Sequence, residues 1–436
     1  MKMRFAGLIL FFFAFSIFGQ ELPTKIVSIE GVTEYRLANG LRILTVPDAG
    51  ASTVGVHLTY FVGSRHESYG EKGMAHLLEH LLFKGTTRLG DIKAELVKRG
   101  SRYNGTTSYD RTTYFETLPA AGDNLDWALG MEADRMVHSR VQKSDLDSEM
   151  TVVRNEFEMG ENSPHGVLSQ RMTRLVFAAH NYGNPVIGLR SDIEMVPIER
   201  LQAFYRTWYQ PDNALLTIGG KFDEAQALEL AAKHFGPLPR PARSLPALYT
   251  GEPTQDGERA VTLRRAGDIQ IVAAMYRIPA AADPGYAAVE VLAHLFGTAV
   301  TGRLHRALVQ KGLATSAWGY ERSLRDPGYA GFGAIVPKDG ALEPARDALI
   351  EALEGAGREP VTDAEVERAR TALMNDFEKT QLDSASLWRM LPEYAAVGDW
   401  RLFYLYRDRM RKLSTADVQR AADTYLKPAK IGRAHV

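Results

Sequence analysis

The residues best suited to chemistry lie in Gly73-Met74-Ala75-His76-Leu77-Leu78-Glu79-His80-Leu81-Leu82-Phe83. On a helix, His76 and His80 are four apart and share a face, as two imidazoles on one metal require, and Glu79 stands three residues from His76 on that side. One face would then carry two metal ligands and one base. A buried helix with two hydrogen-bonded histidines would read the same, so the motif needs context. A second acidic segment provides it, because Glu149 and Glu156 are seven apart, two turns and one face. Glu158 and Glu161 read as a solvated acidic surface. Glu156 follows the apolar pair Val152-Val153, which should pack inward, and a two-histidine zinc site is commonly completed by one carboxylate, with water at the fourth position.

The elements that must position these groups follow from patterning. Asn39-Gly40 marks a hairpin over residues 33–46. A third strand falls at 52–62, helices at 73–83 and 91–99, strands at 101–108 and 112–118, and helices at 124–138, 143–160 and 197–208, with a strand at 214–218. Five prolines between 236 and 253 interrupt any element. Beyond them the order recurs: strands at 259–264 and 269–278, a helix at 286–296, strands at 315–322 and 329–336, then several helices. Mixed strands and helices with hairpins indicate an α+β fold, and the recurrence indicates two homologous α+β domains. The divisions are a leader at 1–20, a first domain at 21–236, a linker at 237–255 and a second domain at 256–430.

Composition narrows the classes further. A chain of 436 residues exceeds one compact core. With 45% hydrophobic and 24% charged residues it is a folded globular protein rather than a disordered or multi-span one. The net charge of −1 supplies no global field for nucleic acid or an acidic membrane. With no cysteine, disulfides and thiolate sites are excluded, so a metal must be held by His, Asp or Glu. Lys2 and Arg4 precede an apolar run from Phe5 to Phe18, shorter than the ~20 residues of a spanning helix. It reads as a secretory signal, with a retained anchor as the alternative, and predicts a periplasmic protein without membrane attachment after cleavage.

Together these features resemble the insulinase, pitrilysin and mitochondrial-processing-peptidase family of zinc metallopeptidases, whose inverted motif is H-x-x-E-H. That family's third ligand is a Glu about 76 residues past the second His, and Glu156 stands at that distance from His80. Val62-Gly63-Ser64-Arg65, residues 104–112, Asn162-Ser163-Pro164, Asn184-Pro185-Val186-Ile187-Gly188 and Tyr209-Gln210-Pro211-Asp212-Asn213 extend the likeness in register. The resemblance implies two domains facing each other across a chamber. It also implies one zinc held by His76, His80 and Glu156, with Glu79 as the base that activates water for peptide hydrolysis. Glu149 resembles an additional family acid that orients a ligand histidine, a surface carboxylate being the other reading. Asn104, Gly105, Thr106, Thr107 and Ser108 resemble the edge strand that accepts an extended peptide. The expected activity is that of an exported zinc endopeptidase; a non-catalytic assembly or scaffold subunit is the rival.

Two departures stand out. Where the family has a substrate-binding Arg and Tyr in the second domain, this chain has Val309 and Thr315, with Arg306 or Tyr320 nearby as replacements. The gap predicts a homologous sibling subunit that supplies the pair, or else a homodimer. The end of the chain, residues 431–436, reads as a sequencing artefact where the family would continue into a last strand, and no function is assigned to it.

Overall fold

A computed structural model describes residues 21–435, so the leader reading and residue 436 lie outside the described residues. The first sheet contains β1 (Thr24–Ile29), β2 (Val32–Arg36), β3 (Arg42–Pro47), β4 (Thr53–Tyr60), β5 (Arg102–Thr107), β6 (Thr112–Pro119) and β7 (Ala214–Gly220). Their spatial order is β1-β2-β3-β7-β4-β6-β5, and only β3 with β7 is parallel. The β2–β3 hairpin turns at Gly40, whose φ of +102° favours a residue without Cβ. Asn39 beside it donates to the carbonyls of Phe235 and Leu238, which ties the turn to the end of a distant helix. At the other margin, β5 pairs only with β6 and leaves one edge unpaired.

Helices α1 (Met74–Leu81), α2 (Ile92–Lys98), α3 (Asn124–His138), α4 (Lys143–Asn162), α5 (Pro164–Val176), α6 (Arg190–Met195), α7 (Ile198–Trp208) and α8 (Glu224–Phe235) complete the first half. Leu77, Leu78, Leu129, Met136, Leu201 and Ala231 of these helices pack with Val56, Leu58 and Ile218 of the strands in one apolar core. No helix or strand falls between residues 236 and 258.

The second sheet holds β8 (Arg259–Thr262), β9 (Ile269–Arg277), β10 (Ser316–Arg322), β11 (Tyr329–Pro337) and β12 (Ile431–His435), in the order β10-β11-β9-β12-β8. Around it lie α9 (Tyr286–Gly297), α10 (Leu342–Glu354), α11 (Asp363–Leu382), α12 (Ser384–Ala396), α13 (Leu402–Lys412) and α14 (Thr415–Tyr425). The sequence reading left no strand after Pro428. Residues 431–435 nevertheless form β12, antiparallel to β9 and parallel to β8, with Ile431 and Ala434 buried. Ile431 packs into one core and Ala434 into another on the opposite face of this sheet.

Packing crosses the linker in both directions. Trp388 of α12 lies against Gly55 and Gly219, where a Cβ would come within 2.1 and 2.2 Å of the indole. The same group includes Leu44, Leu215, Leu391, Trp400 and Phe403, so helices from the second half cover a face of the first sheet. Reciprocally, Leu168, Met172 and Val176 of α5 pack on Ile271, Met275 and Ala434 of the second sheet. Helix α5 was absent from the sequence reading, although Ser163 caps it through the Gly166 amide and Pro164 opens it. The boundary between halves is also polar. Arg65 contacts Asp110 at 2.9 Å and Asp326 at 2.7 Å, while Arg111 contacts Glu393 of α12 at 2.8 Å. These pairs pin the β5–β6 turn to the second half.

Candidate metal centre

Helix α1 presents its histidines because its other face is apolar: Met74, Ala75, Leu77, Leu78 and Leu81 are buried. Its N-terminus is held by Glu67, a buried residue whose carboxylate accepts from the Gly73 and Ala75 amides, both at 2.9 Å. Such a carboxylate satisfies donors that the first helical turn leaves open. Burial pushes the Glu67 carboxyl up to about 8 against the pull of those two amides. Gly73 has φ +100° and abuts Gly188, so the segment 184–188 packs directly on the start of the ligand helix.

Glu156 comes from α4. Its Oε2 lies 3.6 Å from His76 Nε2 and 3.5 Å from His80 Nε2. All three atoms lie within 4.8 Å of one another, and no other group of three or more such residues occurs among the described residues. The fit to zinc can be tested on these distances. Ligands at about 2.0–2.2 Å in a tetrahedron are about 3.4 Å apart, close to the two separations from Glu156. Burial and the neighbouring His80 hold the His76 imidazole neutral by pushing its pKa down to about 4, and the neutral ring is the form that donates a lone pair to a metal. Of the apolar pair before Glu156, Val153 is buried but Val152 is 43% exposed, so only one of the two packs inward as the sequence reading required. Glu158 and Glu161 are exposed.

Glu149 is buried and bonded to His80 Nδ1 at 3.1 Å, which leaves Nε2 of that ring facing Glu156. Lys84 pairs with its other oxygen. Burial would raise the Glu149 carboxyl, but Lys84 and His80 outweigh it and hold the group below its usual range. The carboxylate therefore stays charged and orients the ring, as partners behind metal-bound histidines commonly do. Glu79 is mostly buried, and burial raises its pKa against a 2.6 Å bond from the Thr107 hydroxyl. Gly105 passes so close to Glu79 that a Cβ there would stand 2.9 Å from Glu79 Cγ.

The edge strand is built as β5 from Arg102 to Thr107; Gly105 lies against Glu79 and the Thr107 hydroxyl bonds it, while Asn104 and Thr106 alternate with them along the strand. Ser108 does not belong with them. It lies in the following turn, its amide bonded to the Arg111 carbonyl and its carbonyl to the Ser64 amide, which leaves neither group for a ligand. Thr106 also differs from a free edge residue, since its carbonyl accepts from Arg111. Of the two nearby residues considered as replacements, Arg306 bonds Glu365 at 2.6 Å, and Tyr320 lies against Gly331 beside Ser169. Val309 sits in a short π-helical turn and Thr315 on the exposed approach to β10. Sequence reasoning missed Glu67, Lys84 and Arg111. Lys84, four residues past His80, carried a usable spacing signal; Glu67 and Arg111 act through contacts that spacing does not encode.

Two family models match the chain. The one described as Insulinase (Peptidase family M16) covers residues 42–189, which include all four residues of the centre. The one described as Peptidase M16 inactive domain covers residues 196–373. The chain belongs to the insulinase peptidase family. Zinc protease PqqE from Helicobacter pylori is 29% identical over 398 residues, spanning 90% of this chain and 89% of that protein. The crystal structure of a protease from Helicobacter pylori matches with a TM-score of 0.87 at 27% identity, over 95% of this chain and 99% of the other. The first half of the periplasmic protease PqqL from Escherichia coli shares the fold, with a TM-score of 0.78 at 20% identity over 94% and 93% of the two chains. Two α+β halves thus face each other, with a cavity of about 820 Å³ between them.

Proposed function

We propose that the chain is an exported zinc-dependent endopeptidase that hydrolyses peptides or small unfolded proteins entering between its halves. The observation that carries this reading is the convergence of His76 Nε2, His80 Nε2 and Glu156 Oε2 beside the Glu79 carboxylate. One zinc held by those three residues would supply a Lewis acid that acidifies water and polarises a peptide carbonyl. Glu79 accepts the proton of the attacking water and passes it to the leaving amine. Its raised pKa suits both transfers, and Thr107 fixes one of its oxygens. Glu149 holds His80 in the tautomer that keeps Nε2 free. An extended peptide pairs with the open edge of β5 along residues 104–107, apart from the Thr106 carbonyl that Arg111 holds. Export rests on the basic, Phe-rich leader, and the similar PqqL is named periplasmic.

A homologous sibling subunit supplies the cation and phenol that Val309 and Thr315 do not. The engaged states of Arg306 and Tyr320 support that reading over replacement from within. Assay of the purified chain alone and after mixing with the sibling tests it: full activity alone, unchanged on mixing, rules the sibling out in favour of Arg306 and Tyr320 or of a homodimer. For the activity itself the test is Glu79→Gln, which should keep zinc and lose on the order of 10²-fold or more in hydrolysis. Activity within tenfold of wild type at unchanged zinc content would refute the base assignment.

A further inference from the structure

The chain has two Asn-Gly pairs, Asn39-Gly40 and Asn104-Gly105, in opposite settings. Asparagine is a chemically labile residue, most of all before glycine, whose nitrogen can reach the side-chain carbon because no Cβ blocks the approach and the backbone turns freely. That attack needs an untethered side-chain amide, a glycine nitrogen outside any hydrogen bond, and a backbone able to leave its resting conformation. Asn39 meets none of these conditions. Its amide donates to the Phe235 and Leu238 carbonyls at 2.8 and 3.0 Å, and its side-chain oxygen accepts from the Leu41 amide at 3.2 Å. The Gly40 nitrogen donates to the Leu37 carbonyl at 2.9 Å, and Asn39 is buried, so the turn is clamped.

Asn104 meets all three. It is exposed and, among the described residues, its side chain makes no hydrogen bond. The ladder fixes where the Gly105 nitrogen points. The Ser108 amide donates to the Arg111 carbonyl across the turn, and the pairing runs on without a shift through Thr106 with Thr113, Gly105 with Tyr114 and Asn104 with Phe115. Opposed residues of an antiparallel pair alternate between those that exchange hydrogen bonds and those that do not. Ser108 with Arg111 is of the bonded kind, so Thr106 and Asn104 are too, and Gly105 is of the other. Its N–H therefore points away from β6, toward the edge that no strand covers. A strand held on one side opens more readily than an interior one, which supplies the third condition.

We propose that Asn104 is a site of spontaneous deamidation and that the change disables the peptide-binding edge. The Gly105 nitrogen bonds to Asn104 Cγ and gives up its proton, and the side-chain nitrogen leaves as ammonia, closing a succinimide ring. Water then opens the ring: cleavage at the side-chain carbonyl gives aspartate, and cleavage at the backbone carbonyl gives isoaspartate. Nothing is oxidised or reduced. Aspartate adds a charge to the strand. Isoaspartate routes the main chain through the former side chain, and the added backbone atom displaces Gly105, which packs so closely on Glu79 that a Cβ there would stand 2.9 Å from Glu79 Cγ. The loss of function rests on the peptidase reading, whereas the modification does not.

The test incubates the zinc-loaded full chain in warm, mildly alkaline buffer until both pairs in a guanidinium-unfolded sample are half converted. Peptides carrying residues 39 and 104 are then weighed for replacement of NH2 by OH, and isoaspartate is counted by enzymatic methyl transfer. In the folded chain, conversion at Asn104 should exceed that at Asn39 at least fivefold. A smaller ratio, whether both residues convert or neither does, overturns the proposal. Hydrolysis of a quenched peptide should fall in proportion to the fraction converted at residue 104; activity that does not fall with it overturns the claim on the edge. Asn104→Gln, whose longer side chain must close a larger ring, should keep whatever activity it starts with over the same incubation, and a parallel loss overturns that claim too. Gly105→Ala serves if Asn104→Gln fails to fold, and must slow conversion at Asn104 at least fivefold. Should the fresh chain cut no peptide, the peptidase reading fails separately and the masses still decide the modification.

Discussion

Replacing Gly105 with alanine tests whether Glu79 is placed by the strand that passes over it. The added Cβ would stand 2.9 Å from Glu79 Cγ, 3.0 Å from Phe83 Cε2 and 3.1 Å from Glu79 Oε1. Carbon atoms in comfortable contact are about 3.5–4.0 Å apart, so Glu79 must retreat by roughly half an ångström. The backbone at Gly105 is paired with Tyr114 in the ladder and accepts alanine, which places the cost on the side chain below. A shift of about 1 Å at a reacting group costs about 10²-fold; half of it scales to about tenfold, or about 1.4 kcal/mol in the barrier. The assay is kcat and KM on a quenched peptide, with zinc content and Tm measured on the same preparation. Gly105→Ala should lower kcat about tenfold at unchanged zinc, and should add nothing further in a Glu79→Gln background. A kcat within twofold of wild type would refute the placement argument.

The remaining predictions concern the ligand set and the boundary between halves. Glu156→Gln should release zinc to a mild chelator while Glu158→Gln and Glu161→Gln retain it; full retention by Glu156→Gln would move the carboxylate ligand elsewhere, with Glu149 first in line. Glu149→Gln should weaken zinc about 10- to 100-fold in chelator competition, because His80 loses its charged partner, and an unchanged affinity would contradict that role. The bond from His180, with the charge of Arg65, holds the Asp326 carboxyl down to about 2 against its burial. A depressed pKa stabilises the fold above the ordinary value of 3.8 and loses that contribution as pH falls toward 2. Asp326 is 39% exposed, so screening reduces the effect, and Asp326→Asn should cost about 1 kcal/mol at pH 7. The Tm gap to wild type should narrow between pH 5 and pH 3; a constant gap would contradict the linkage.

What was legible in the sequence follows from how local the signal is. His76, Glu79 and His80 are set by helical spacing alone, and α3 falls where its periodicity places it. The Asn39-Gly40 turn and the β5–β6 pair are equally local. By contrast, β12 exists only because β9 and β8 flank it, and Ile431-Gly432-Arg433-Ala434-His435 has too little pattern to announce a strand. The cover of the first sheet by Trp388 and Trp400 depends on which sheet a late helix reaches, which sequence order does not state. Val152 misleads for a related reason: in an apolar pair on a helix, only one member can face a narrow core. Glu67 takes its setting from the Gly73 and Ala75 amides, six and eight positions on, at a spacing with no periodic signal, and Arg111 takes its own from Glu393, 282 positions away. Ser108 looked like strand because β5 runs up to it, yet its carbonyl and amide are consumed by the turn that anchors the hairpin.

The most direct measurement of the central claim follows metal content and peptide hydrolysis together through one cycle of chelation and zinc return. The account predicts one zinc per chain as purified, hydrolysis lost in proportion as zinc is removed, and recovery of both on adding zinc back. A chain that folds without stoichiometric zinc, or whose hydrolysis survives its removal, would contradict the account and favour a non-catalytic subunit.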